Sequence, residues 1–163
     1  MKRKIFSVLA AVGLSVTLAI PAFAYGNHTT IRNQREVESN DTEDTANIVP
    51  FNGTSKAWYA RMDHQHDDDY FIFTLGEDKT LSIKLQRQTK MIDHNFFIWI
   101  YDKTTGETIH SESLSMTERM NYFPSFQGEA GHTYAVNVCL EGNLDAPLAY
   151  SKGYGYSIFV NGK

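Results

Sequence analysis

A chain of 163 residues, 13% of them aromatic, is long enough for one globular domain with its own core, and it shows no internal repeat. Its one cysteine excludes an internal disulfide framework, so stability must come from the core, from bound metal, or from both. The formal net charge of −4 argues against nucleic acid and anionic lipid as partners.

The first 24 residues have the three parts of an export signal. Residues 2–4 are basic, residues 5–20 are apolar, and Ala-Phe-Ala at positions 22–24 is the small-residue pattern that a signal peptidase reads. We therefore predict that residues 1–24 are a signal peptide and that the mature, secreted protein begins at Tyr25. Cleavage removes three basic residues and no acidic one, so the net charge would move from −4 to −7.

After the signal, residues 25–35 are polar and aperiodic, which predicts a flexible leader before one packed domain over residues 36–163. Short apolar segments between turn sequences predict strands at 70–75, 81–85, 96–101, 107–110, 119–126, 133–140 and 154–160. Helical patterns are scarce, with one short turn near residues 42–46. The spacing predicts an all-β fold, an antiparallel β-sandwich. Alternation predicts a core that contains Phe71, Phe73, Leu81, Ile83, Leu85, Val136 and Val138.

Two acidic clusters stand out from this strand pattern. Residues 36–41 contain three carboxylates and a carboxamide, and residues 63–69 end in three successive aspartates before an aromatic strand. Calcium binds six to eight oxygens from carboxylates, carboxamides and backbone carbonyls, which two adjoining loops of this kind would supply. The alternative is a pair of solvated acidic loops, because the EF-hand spacing with its central glycine is absent.

Three motifs follow one another along the chain: Glu36-x-Glu38-x-Asn40-Asp41, then Ala46-Asn47-Ile48-Val49-Pro50, then Asp67-x-Asp69-Tyr70-Phe71-x-Phe73. Later landmarks keep the same order, at residues 98–106, 131–138 and 155–160. Together they resemble the bacterial pre-peptidase C-terminal domain, a group that includes the calcium-binding, collagen-binding domains of clostridial collagenases. The resemblance covers about residues 36–160.

What the resemblance implies is a jelly-roll-like β-sandwich, usually appended to secreted proteases, with calcium held between an N-terminal acidic segment and the loop before a strand. A backbone carbonyl near Ala60 or Arg61 would complete the metal shell. The family's metal ligands fall by matching position on Glu36, Glu38, Asn40, Asp41, Asp67 and Asp69. In this chain the export signal leads almost directly into the domain, with no protease before it. The positions of the collagen-contacting tyrosines hold Cys139 and Glu141, so the collagen-binding residues are not matched.

Other chemistry is less well supported by the sequence. His64 and His66 flank Gln65 beside Asp63, which would suit a transition metal, but exposed histidines in a solvated loop are the simpler interpretation. Neither a G-x-S-x-G elbow nor an H-E-x-x-H helix is present. Cys139 lies in an apolar segment, which favours a buried, inert thiol.

We therefore predict a bacterial extracellular protein that is not an enzyme: a calcium-stabilised binding or accessory domain. Its partner would be an extracellular protein, a peptide or a cell-wall polymer, with no nucleic acid and no membrane contact after signal cleavage, and we expect a monomer. No catalytic residue is predicted, and the ligand-binding residues are not identified. Two alternatives stay open: a small secreted hydrolase whose site the sequence does not show, and a regulator of a secreted protease.

Overall fold

A computed structural model describes residue 30, residues 34–51, 56–88, 94–114, 119–142, residue 148 and residues 153–163. The predicted signal peptide and most of the predicted leader lie outside these ranges. The strands are β1 (Asn47–Ile48), β2 (Lys56–Met62), β3 (Asp68–Thr74), β4 (Lys79–Arg87), β5 (His94–Asp102), β6 (Glu107–Leu114), β7 (Met120–Tyr122), β8 (Phe126–Gly128), β9 (Thr133–Gly142) and β10 (Tyr154–Gly162). Within the described residues, no helix is long and apolar enough to cross a bilayer.

The strands form two sheets that pack face to face. Sheet I has the order β1-β3-β9-β5-β6, and sheet II has the order β2-β10-β4-β7, with β8 also pairing with β4. The short β1 runs parallel to β3, and the other pairs are antiparallel. The chain changes sheet between β1 and β2, β2 and β3, β3 and β4, β4 and β5, β6 and β7, β8 and β9, and β9 and β10, which is the connectivity of a jelly roll. The predicted all-β sandwich is therefore confirmed.

The core lies between the two sheets and follows the alternation of each strand. Leu81, Ile83 and Leu85 point inward from β4, and their neighbours point outward. All seven side chains that alternation assigned to the core are buried. The largest fully buried side chains include Trp58 from β2 and Tyr156 from β10. Complete burial of one such side chain contributes about 1.5–3 kcal/mol to the free energy of unfolding.

The structure differs from the predicted elements in several places. The strand expected over residues 119–126 is two strands, β7 and β8, separated by a segment with Pro124, which has no N–H to donate to a ladder. The β6 strand continues to Leu114, and the sequence prediction did not include β2. A turn at residues 43–45 lies where one helical turn was expected. In this turn the Thr45 amide donates a hydrogen bond to the Thr42 carbonyl.

The acidic N-terminal segment is attached to both sheets by backbone hydrogen bonds. Along β2, the Tyr59 amide donates to the Gln34 carbonyl at 2.7 Å, and the Glu36 amide donates to the Tyr59 carbonyl at 2.9 Å. Along β3, the Tyr70 amide donates to the Asn40 carbonyl at 3.0 Å. The segment therefore bridges the two sheets at the end where the loop between β2 and β3 lies.

Candidate metal centre

Two groups of carboxylates meet at this end of the sandwich. In the first, one oxygen each from Glu36, Glu38 and Asp69 lie within 4.8 Å of one another, and in the second the same is true of Glu38, Asp41 and Asp67. Glu38 belongs to both groups. The structure therefore brings together the five carboxylates that the sequence assigned to the metal, from two segments more than twenty residues apart.

Asp69 is held by residues of both sheets. It lies on β3, opposite Val138, and its side chain is fully buried. The hydroxyl of Tyr156, which comes from β10 in sheet II, donates to Asp69 Oδ2 at 2.5 Å. Asp69 Oδ1 has no hydrogen-bond partner among the described residues. One carboxylate oxygen is thus fixed by the core, and the other is left for a ligand.

Glu36 and Asp67 are each held through one carboxylate oxygen by a backbone amide. The Arg61 amide donates to Glu36 Oε1 at 2.6 Å, whereas Glu36 Oε2 is buried with no partner in the described part of the chain. The Asp63 amide donates to Asp67 Oδ2 at 2.5 Å, and Asp67 is only 2% exposed. Backbone amides of β2 and its following loop therefore orient both carboxylates.

Asn40 lies between Glu38 and Asp41 in the sequence and is fully buried. Neither its side-chain oxygen nor its side-chain nitrogen has a hydrogen-bond partner within the described ranges. Leaving a buried amide unpaired costs about 1–3 kcal/mol, so a native protein normally provides a partner. A cation that accepts the Asn40 oxygen as a ligand would remove part of this cost.

The electrostatics of the cluster are unfavourable without a cation. Burial and then the nearby charge of Glu38 raise the pKa of Glu36 to about 8. Burial and then Glu36 raise the pKa of Asp69 well above its ordinary range. The pKa values of Glu38 and Asp67 are also raised, in both cases first by burial. The nearby Arg61 guanidinium pairs with Asp63 at 2.6 Å instead.

The donor set fits a hard divalent cation. Both groups contain only carboxylates, and the adjoining unpartnered side chain is a carboxamide. A separation of 4.8 Å is about twice the calcium–oxygen distance of 2.3–2.6 Å, so three oxygens within that span can share one ion. Arg61 reaches the cluster through its backbone N–H, and the expected carbonyl ligand near Ala60 or Arg61 stays a prediction.

The histidines and the cysteine lie apart from these groups. His64 and His66 are exposed in the loop between β2 and β3, and neither belongs to either carboxylate group. Cys139 is partly exposed on β9, where burial and then the charge of Asp68 raise the pKa of its thiol to about 12. Because the thiolate is the reactive form, Cys139 is a poor nucleophile at neutral pH.

Asp102 and His132 form an Asp–His pair of the kind found in hydrolases. His132 Nδ1 lies 2.6 Å from Asp102 Oδ2, and Asp102 Oδ1 also accepts the amides of Thr104 and Thr105. The other ring nitrogen of His132 lies 3.4 Å from Glu129 Oε2, a carboxylate oxygen. A catalytic triad needs a nucleophile at that nitrogen. The pair instead connects the turn after β5 to the loop before β9.

We expect His132→Gln to reduce stability most at mildly acidic pH. The hydrogen bond to Asp102 raises the pKa of His132 above its ordinary 6.5. Burial tends to raise the pKa of Asp102, but the hydrogen bonds from His132, Thr104 and Thr105 outweigh burial and lower that pKa below 3.8. The contribution of His132 to the stability of the fold is complete below about pH 6.5 and is lost as pH rises through the raised pKa. The contribution of Asp102 to the stability of the fold is present above about pH 4 and is lost as pH falls through the lowered pKa.

Thermal melts of the wild type and His132→Gln from pH 3 to 9 measure this effect. The difference in melting temperature should be largest between about pH 4 and 6.5 and should shrink on both sides. A difference that is constant over the whole range would show that the lost interaction does not depend on the charge of His132.

No family model matches the chain, and no curated protein matches it. Among solved structures, the pre-peptidase C-terminal domain of a Bacillus anthracis collagenase aligns with 75% of this chain and 100% of its own length, at 10% identity and a TM-score of 0.47.

Two other structures align over most of the sandwich. The Aeromonas hydrophila periplasmic inhibitor of g-type lysozyme covers 71% of this chain and 96% of its own, at 14% identity and a TM-score of 0.43. The surface-associated copper-binding protein CorA of Methylomicrobium album covers 72% and 98%, at 8% identity and a TM-score of 0.43. Similarities this distant carry nothing about function.

Proposed function

We propose that the mature protein is a non-catalytic binding or accessory domain that acts outside the cell and is stabilised by calcium. The observation that supports this most directly is the pair of carboxylate groups that share Glu38, next to buried polar atoms with no partner among the described residues. Calcium would neutralise the crowded carboxylates and would take Asp69 Oδ1, Glu36 Oε2 and the Asn40 side-chain oxygen as ligands.

Two neighbouring ions fit this arrangement better than one. Glu36 and Asp69 belong only to the first group, and Asp41 and Asp67 belong only to the second. A Glu38 carboxylate between the groups would give one oxygen to each ion. Each ion would tie the N-terminal segment to the β3 side of the sandwich, because each group contains residues from both.

Calorimetric titration of chelator-treated mature protein tests the proposal directly. Extracellular calcium modules bind with dissociation constants of about 10⁻⁴ to 10⁻³ M, so the titration must extend to about 10 mM. We expect a binding isotherm with calcium and a weaker one with magnesium, which demands a smaller and more regular oxygen shell. Absence of binding heat up to 10 mM calcium would leave both clusters as solvated loops.

Tyr156→Phe should weaken calcium binding by about 10- to 100-fold without unfolding the domain, which is the usual effect of removing a group that orients a metal ligand. The substitution removes the hydroxyl that donates to Asp69 Oδ2 and keeps the buried ring. Titration calorimetry measures the change.

Tyr134→Phe is the matched control for this experiment. Tyr134 is also buried, and its hydroxyl accepts a hydrogen bond from the Glu129 amide at 2.8 Å. It lies four residues before Val138, the β9 residue that pairs with Asp69. Its loss should affect stability and leave calcium affinity unchanged. Equal affinities in the wild type and in both variants would contradict a positioning role for Tyr156.

A further inference from the structure

The outer face of sheet II consists of the residues that alternate with the core residues on its strands. One row crosses all four strands, with Ala57 opposite Phe159, Phe159 opposite Lys84, and Lys84 opposite Tyr122. The next row is Tyr59, Ser157, Gln86 and Met120. Side chains from all four strands therefore lie on one face of the sheet.

This surface has no acidic side chain at its described outward positions, although the chain as a whole is acidic. Its outward residues are Arg35, Ala57, Tyr59, Arg61, Thr80, Ser82, Lys84, Gln86, Met120, Tyr122, Gln127, Gly155, Ser157, Phe159 and Asn161. Arg61 pairs with Asp63 beyond the edge. The ammonium of Lys84 lies 4.2 Å from the ring centroid of Phe159 and 5.9 Å from that of Tyr122.

Two exposed tyrosines lie at the edges of the surface. Tyr122 is 72% exposed on β7 and Tyr59 is 43% exposed on β2, and these are two of the three large hydrophobic side chains that are exposed in the described residues. Three strand spacings of about 4.8 Å separate β2 from β7, so the two rings lie on the order of 15 Å apart.

The geometry points to an acidic polysaccharide that lies across the four strands, an inference that names the ligand class of the binding domain proposed above. Tyr59 and Tyr122 would stack on sugar rings, and Lys84 would pair with the carboxylate of a uronic acid between them. The Gln86 side-chain amide would form hydrogen bonds with sugar hydroxyls. The exposed Arg35, which pairs with Tyr59 beside β2, adds a second cation near one of the two rings.

A polysaccharide fits this surface better than an extended peptide does. Peptides that join a sheet use the main-chain groups of an edge strand, and here Gln34 and Glu36 already take the Tyr59 amide and carbonyl of β2. A ligand at the β2 edge of this face is therefore bound by side chains rather than by the main chain. Tyrosine rings, side-chain amides and the Lys84 ammonium match sugar rings, hydroxyls and a carboxylate.

Hyaluronan oligosaccharides are the probe, because they alternate a uronic acid with an uncharged sugar. We expect calorimetry to detect binding to the wild type and little binding of uncharged dextran oligosaccharides. Lys84→Gln and Tyr122→Ala should each weaken hyaluronan binding about tenfold or more, and Lys84→Arg should keep it. Lys163→Gln makes the same charge change at an exposed position outside the two rows, and it should have no effect.

The outcomes separate this inference from the metal proposal. No hyaluronan binding, equal binding by Lys84→Gln and Tyr122→Ala, or tighter binding of polyglutamate than of hyaluronan would overturn the polysaccharide assignment. The calcium titration of the same variants should be unchanged, because none of their residues belongs to the carboxylate groups. A lost calcium response with intact hyaluronan binding would contradict only the metal proposal.

Discussion

Calcium should raise the melting temperature of the mature protein by several degrees, and Glu38→Gln should remove most of that rise. Without the ion, carboxylates from two segments repel each other, and a bound dication replaces repulsion with attraction. At a hundredfold excess over the half-saturating concentration, one ion adds about 2.7 kcal/mol to the free energy of unfolding. Glu38 is the variant of choice because it belongs to both carboxylate groups.

Glu107→Gln is the matched control for this prediction. It makes the same chemical change at an exposed residue on β6, at the edge of sheet I away from β3. Differential scanning calorimetry with and without 10 mM calcium should give the wild-type shift for Glu107→Gln and a small shift for Glu38→Gln. Equal shifts in the two variants would mean that calcium stabilises the protein somewhere else.

The metal-free protein gives a second measure of the same site. Because burial and neighbouring charge oppose ionisation of Asp69, Asp69→Asn removes one source of repulsion and keeps an oxygen that can accept from Tyr156. We expect its melting temperature in chelator to equal or exceed that of the wild type, with a reduced response to calcium. A purely structural role for Asp69 would lower stability in both conditions.

The strands that the sequence predicted correctly are those whose residue types and alternation agree. β4 alternates Leu and Ile with polar residues, and β5 is almost continuously apolar, so each is recognisable alone. β2 was missed although Trp58, Ala60 and Met62 alternate, because alanine, arginine and lysine are poor strand formers. Its strand conformation depends on pairing with β10, nearly a hundred residues later, which no local pattern reports.

The candidate metal centre was also predictable only in part from the sequence. Its carboxylates were visible in the sequence because acidic residues gather at positions 36–41 and 63–69. The groups that orient them were not visible: Tyr156 is 87 residues from Asp69, and the amide of Arg61 is 25 residues from Glu36. A tyrosine in an alternating strand has the same pattern whether its hydroxyl meets water or a buried carboxylate. Only the packing of the two sheets distinguishes them.

Gly153→Ala should lower the melting temperature by about 10 °C or more, the largest effect of a single methyl group that we expect in this domain. Gly153 precedes β10 with a φ of +73°, and a Cβ added there would lie 2.1 Å from the Met62 carbonyl oxygen and 2.9 Å from the Met62 carbonyl carbon. Both atoms belong to the backbone at the end of β2, so relief requires the strand pair to move. Overpacking costs about 1–3 kcal/mol or more, and a positive φ costs a residue with a Cβ roughly 1–2 kcal/mol.

Gly131→Ala separates the two contributions. Gly131 has a φ of +81°, and nothing lies within 4 Å of an added Cβ, so only the backbone cost of roughly 1–2 kcal/mol applies. Its melting temperature should fall by about half as much as that of Gly153→Ala or less. Because Met62 leads into the loop that carries Asp67, Gly153→Ala should also weaken calcium binding, whereas Gly131→Ala should not. Equal losses of stability in the two variants would mean that β2 and β10 separate easily at this point. The close approach of Gly153 to Met62 would then have no part in holding the metal centre in place.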